Sequence, residues 1–183
     1  MLATENLMKE HQLILKYVDL MERYAELGLK NLNPLVLFEK ANCFIQFIHE
    51  FADDVHHAKE EDILFRYLEV PDVLTHCNPV PQMLFEHNKA REYVQNMENA
   101  IQTKDINELV VNVCQYARLL KEHIYKEDNI LYPMAERGLS DEAKSSLLKE
   151  YTETDNLLNS HAIWRKYEIL CTELEKQLNV LND

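Results

Sequence analysis

The sequence predicts an all-α fold, and three observations carry that expectation. Glycine is nearly absent, with 2 among 183 residues. The 5 prolines fall between long segments of helical period, and 46% of the residues are hydrophobic, enough for a buried core. A turn-rich β fold and a glycine-rich phosphate loop both need the glycines that are missing. The length suits a single domain.

Six helices follow in order. The first is expected from about Thr4 to the region of Gly28. The second starts at Pro34, a favourable first-turn residue, and runs to about Tyr67. The segment VPDVLTHCNPVP, with Pro71, Pro79 and Pro81, is the one long connection. A third helix is expected from about Pro81 to Gln102, and a fourth from Ile106 to Leu131, closing near Pro133 and Gly138. Ser140 caps a shorter fifth helix that reaches about Tyr151. The sixth spans about Asp155 to Leu181.

Charge narrows the class of partner. Acidic residues number 32 against 19 basic ones, a formal charge of −13, which disfavours nucleic-acid backbones and anionic membranes as partners. No apolar run approaches the roughly 18 residues of a transmembrane helix, and the start MLATENLMKEHQ has neither the basic nor the apolar region of a secretory signal. Cys43, Cys77, Cys114 and Cys171 are widely spaced without a CxxC pair, which fits free thiols in a reducing cytoplasm.

The chain repeats itself. LMKEHQLILKYVDLME aligns with MLFEHNKAREYVQNME when Glu10-His11 is set on Glu86-His87, and HHAKEEDILF aligns with HIYKEDNILY when His56 is set on His123. The first four helices therefore read as a duplicated hairpin. Each copy offers an isolated histidine (His11, His87) and, one helix later, a histidine with a glutamate four residues on (His56 and Glu60, His123 and Glu127). That spacing brings both groups to one helix face, one turn apart.

In the second helix the tandem His56-His57 leaves the register to be decided. At about 100° per residue, His56 shares its side with Ile45, Ile48, Ala52 and Ile63, whereas His57 falls among Gln46, Glu50, Asp53, Asp54 and Glu61. His56 and Glu60 are expected in the core, His57 and Glu61 at the edge or in water. The same test places His11, His87 and His123 on apolar stripes. A buried carboxylate is costly unless paired or bound to a metal. Imidazole with carboxylate and no thiolate suits iron, manganese or zinc. Two equivalent sets fit a dinuclear centre inside a four-helix bundle. With Glu60 and Glu127 bridging and an oxo or hydroxo group added, each metal keeps one open position for O₂, peroxide, NO or water.

This set, EH11, HHxxE60, EH87 and HIxKE127 followed by Asp-x-x-Leu-Tyr-Pro, resembles the hemerythrin or HHE cation-binding family. The resemblance covers about residues 4 to 135. It implies an up-down-up-down four-helix bundle (1–135) with a non-haem di-iron centre held by His11, His56, Glu60, His87, His123 and Glu127. Residues 136–183 resemble the C-terminal extension of bacterial and archaeal stand-alone members, packed on the same domain. One departure stands out. Oxygen-carrying hemerythrins place a fifth histidine one turn beyond the third-helix ligand, where this chain has Arg91. Without that histidine the set looks more like the four-histidine centres of iron–sulfur-cluster repair proteins, but a cysteine-bearing N-terminal domain like theirs is not expected from these residues, so the repair role is an analogy.

The function implied is binding of O₂, NO or peroxide in sensing, buffering or detoxification. The alternatives are a di-iron enzyme with peroxidase-like, catalase-like or NO-reducing activity, which needs an electron donor, and a repair role. Arg91 is expected to pair with Glu10, Glu86 or a ligand carboxylate, or to reach solvent. His161 is read as packing of the last helix or a further ligand. His49 lies too far along its helix to share the metal, and His76 belongs to the proline-rich loop. Tyr116 and Tyr125 are core or rim residues with a possible role beside the ligands.

Overall fold

Six long helices account for the regular structure in the computed structural model, which describes residues 2–30 and 34–182. They are α1 (Glu5–Lys30), α2 (residues 34–68), α3 (Val80–Thr103), α4 (residues 106–138), α5 (Asp141–Leu158) and α6 (Ser160–Asn182). Helix α1 packs on α2 and α4, and α3 packs on α4 and α2, so the two hairpins close a ring around one interior. Among the described residues no helix is long and apolar enough to cross a membrane.

Local chemistry sets the ends. Lys104 closes α3 in the left-handed conformation, and the Asp105 carboxylate caps α4 by accepting from the Glu108 amide at 3.0 Å. Ser140 caps α5 in the same way through the Ala143 amide. Helix α5 runs past Tyr151, where the sequence suggested its end, because nothing in TETDN breaks a helix; Asn159, at φ 55°, does so instead. The shift puts Asp155 on α5 rather than at the start of α6.

Two helices are not regular. Helix α2 changes to π-helical hydrogen bonding at Ile48–His57 and again at Glu60–Leu64, and α4 does so at Glu127–Leu131. Glu60 and Glu127 each open such a stretch, and EEDIL and EDNIL are the matching segments of the repeat. The chain then continues helically through Pro133, which follows directly on the widened turn; there the missing amide and the bulk of the ring are tolerated.

The apolar interior is divided. One cluster takes Ile14, Tyr17, Phe44, Phe47, Phe51, Met97, Leu120 and Tyr167, among others; a second takes Leu7, Ile63, Phe65, Met83, Leu131, Tyr132, Leu147 and Tyr151. Along every bundle helix the switch from one to the other happens at a buried histidine or glutamate. Helix α6 is fixed to α1 by the Tyr17 hydroxyl donating to the Tyr167 carbonyl at 2.9 Å and the Tyr24 hydroxyl donating to the Leu174 carbonyl at 2.8 Å. The four cysteines are free thiols, with only Cys171 buried.

Candidate metal centre

Between the two apolar clusters lies a layer of seven buried polar residues: His11, His56, His57, Glu60, His87, His123 and Glu127, none more than 2% exposed. All six residues expected from the sequence are there. They form two groups whose candidate ligand atoms lie within 4.8 Å of one another: His11, His56, Glu60 and Glu127, and His57, Glu60, His87 and His123. Glu60 belongs to both. Glu127 spans the groups as well, with Oε2 3.3 Å from His11 Nε2 and 3.2 Å from His123 Nε2, and Oε1 3.9 Å from His87 Nε2.

His56 and Glu60 face the core as expected, but His57 does not lie at the edge or in water. It is 2% exposed and stacks on His87 with ring centroids 3.9 Å apart. Successive residues of an α-helix diverge by about 100°, which would turn His57 away from the site. A helix bonded i→i+5 has more residues per turn and a smaller angle between neighbours, so His56 and His57 both aim inward from Ile48–His57. The polar neighbours that argued for solvent, Asp53 and Glu61, are in fact the acceptors for two of the imidazoles. The sequence signal was the tandem itself, since each of His56 and His57 has a glutamate four residues on.

Each imidazole is oriented from outside. Nδ1 meets a carboxylate in all five: Asp128 for His11 at 2.7 Å, Glu10 for His56 at 2.9 Å, Asp53 for His57 at 2.9 Å, Glu61 for His87 at 2.7 Å and Glu86 for His123 at 2.9 Å. A carboxylate on Nδ1 fixes the tautomer and leaves Nε2 for the interior. These outer contacts follow the repeat. Glu10 takes His56 and Lys59 as Glu86 takes His123 and Lys126, and Asp128 holds His11 as Glu61 holds His87. Arg91 pairs with none of the expected carboxylates; it reaches Glu61 at 2.7 Å and Asp53 at 3.2 Å, tying together the supports of His87 and His57.

The layer fits a cation. Glu60 Oε2 and both oxygens of Glu127 are buried without a hydrogen-bond partner, a state that is costly unless a positive charge fills the space they face. His87 Nε2 and His123 Nε2 approach to 2.9 Å, the separation expected of two nitrogens each about 2.1 Å from one metal. The family model of the hemerythrin HHE cation binding domain matches residues 2–135. The chain belongs to the hemerythrin family. Searches of curated proteins and of solved structures give no match.

Against the hemerythrin pattern noted above, the place one turn beyond His87 is indeed Arg91, but a fifth histidine is present on α2 instead. The two groups are therefore unequal, with three imidazoles against two. The repeat places Ile124 opposite His57, and Ile124 is apolar core. A second inequality is aromatic. Tyr132 lies parallel to His11 at 5.5 Å and Phe65 nearly parallel to His87 at 6.0 Å, but only Tyr132 has a hydroxyl, which donates to Glu60 Oε1 at 2.6 Å.

Without a cation the layer must share protons. Burial opposes the charged form of His11, yet the Asp128 hydrogen bond and the charge of Glu127 outweigh it and raise its pKa to about 9. His123, buried too, is raised to about 10 by Glu127 and Glu86. Burial and the neighbouring His57 lower His87 to about 3, and burial with His11 and His57 holds His56 well below its usual range. Burial and the charge of Glu127 push Glu60 up. The two protonated imidazoles thus stand in for the positive charge that the carboxylates require.

The remaining candidates lie elsewhere. His49 is half exposed and contacts Glu98, His76 and His161 are exposed, Tyr125 is on the surface, and Tyr116 is core. Tyr132, part of the Leu-Tyr-Pro motif, is the tyrosine that touches the site.

Proposed function

We propose that this hemerythrin-family chain holds two iron ions in the buried layer and binds a small diatomic or peroxide ligand at one of them. His11 and His56 would hold the first ion; His57, His87 and His123 the second; Glu60 and Glu127 would bridge. Manganese or zinc satisfies the same donors. The observation that carries this reading is the convergence of five outward-anchored imidazoles on carboxylate oxygens that have no other partner. Residues 1–135 form the binding bundle, in the up-down-up-down sense of the family, with 136–183 as an extension packed on it. The free cysteines suit a reducing compartment such as the cytoplasm.

The unequal groups favour a ligand at the ion of His11 and His56, which receives one protein donor fewer. When bound, the metals supply Lewis acidity and stored electrons. The chain's own residues enclose that space with the Tyr132 ring stacked on His11, and the Tyr132 hydroxyl holds Glu60 in place. A metal held by fewer protein donors would leave room for a small ligand, which suits reversible binding in sensing, buffering or detoxification.

The test is anaerobic loading with Fe(II), metal counting, and stopped-flow addition of O₂, NO and peroxide. Two irons per chain and an adduct that forms and reverses are expected. No iron uptake would sink the reading, and sustained consumption of peroxide or NO would replace binding by enzymatic turnover with an electron donor.

A further inference from the structure

Beyond the inequalities at His57 and Tyr132, the two halves of the repeat differ in how their equivalent lysines are held. Lys59 and Lys126 are equivalent, and each contacts the glutamate that accepts from a buried imidazole, Glu10 for His56 and Glu86 for His123. Yet the Lys126 side chain is 32% exposed and the Lys59 side chain 1%. The difference comes from the C-terminal helices. Asp155 of α5 places Oδ1 2.9 Å from Lys59 Nζ, so this lysine lies between two carboxylates and out of water. No corresponding third group follows Glu86 and Lys126 among the ion pairs of the described residues.

We infer that the C-terminal extension is part of the support of the metal centre, with Asp155 as a positioning residue that acts through Lys59 and Glu10 on His56. The inference rests on the di-iron reading and deepens it by assigning the extension a role at the ion with fewer protein donors. The physical route is short. A lysine ammonium shared between two carboxylates withdraws less charge from either than one held by Glu10 alone. Asp155 therefore leaves Glu10 the stronger acceptor for the His56 N–H, and a stronger acceptor makes the imidazole a better donor to its metal. Docking of α5 thereby sets the electron richness of one ion and leaves the other, supported through Glu86 and Lys126, as it is. Packing does not obstruct substitution, because Asp155 borders a cavity of about 600 Å³ lined also by Glu10, His161 and Trp164.

The test uses the full chain loaded with iron and compares wild type with Asp155→Asn and Asp155→Glu. Asp155→Asn should raise the reduction potential of one iron, shift the absorption of the oxidised protein and weaken one metal by about tenfold, the low end for an outer partner. Asp155→Glu should restore all three. Urea melts of the metal-free proteins separate a stability effect from this one. Unchanged potential and absorption in Asp155→Asn would overturn the inference while the wild type binds two irons. A wild type that takes up no iron would overturn the di-iron reading, and this inference with it.

Discussion

Replacing His57 by alanine probes the inequality between the two groups. A four-ligand zinc site stores about 10–16 kcal/mol, roughly 3 kcal/mol per ligand, so removal of one imidazole from the His57, His87 and His123 group should weaken that ion by about 100-fold. The other group contains no atom of His57 and should keep its ion. The substitution strands no charge, because Asp53 retains Arg91 at 3.2 Å. The metal-free protein should lose about 1 kcal/mol, or about 2–4 °C in Tm, from the vacated stack on His87. Dialysis against a graded chelator followed by metal counting should then show one tightly held iron per chain where the wild type shows two. If His57→Ala keeps two irons with wild-type affinity, the three-imidazole group is wrong, and the π-helical turn has merely buried a histidine.

The other expectations use the same logic. Glu60→Ala should release both metals, because Glu60 belongs to both groups, whereas Glu61→Ala, which removes the acceptor of His87 and one partner of Arg91, should keep both and weaken one by about tenfold; metal counts decide between them. Tyr132→Phe should keep the metal but lose about 2 kcal/mol for a buried hydrogen bond to a charged group, about 4–8 °C in a thermal melt, and an unchanged Tm would refute the 2.6 Å contact. With pKa values raised to about 9 and 10, His11 and His123 give the metal-free protein stability that is complete below their ordinary 6.5 and lost as pH rises through those values. On the acid side, burial works against Glu61 and Glu86, but their partners lower both to about 2, so their contribution is present above 4.5 and fades as pH falls toward 2. Metal should displace the imidazole protons, so iron affinity should climb over the same alkaline range in which the metal-free Tm falls; a flat Tm between pH 6.5 and 10 would contradict the assignment. Gly138→Ala should destabilise by about 1–3 kcal/mol without altering metal content, since the new Cβ would stand 2.3 Å from the Val73 carbonyl oxygen.

Helix number, most helix ends and six of the seven residues of the layer are legible in the residues alone. Their signals are local: period, caps, prolines, and a histidine one turn from a glutamate. The repeat adds more than the ligand candidates, because Glu10 with Lys59 and Glu86 with Lys126 are also sequence-equivalent, and they turn out to be the paired supports of His56 and His123. The end of α5 was misplaced for want of a breaker, since Asn159 terminates a helix only by adopting a left-handed conformation that many residues could have taken nearby.

His57 escapes a reading by helical wheel for a different reason. A wheel assumes one angle per residue, and the π-helical hydrogen bonding that changes this angle depends on how α2 packs around the site, not on its own side-chain pattern. The direction of Arg91 toward Asp53 and Glu61, the Tyr132 hydroxyl on Glu60, and the reach of Asp155 to Lys59 likewise join helices distant in the chain. Periodicity assigns a residue to a face, but which of several carboxylates meets a given cation depends on the rotation and axial offset of whole helices, and those are set by packing of the two apolar clusters on either side of the buried histidine and glutamate layer.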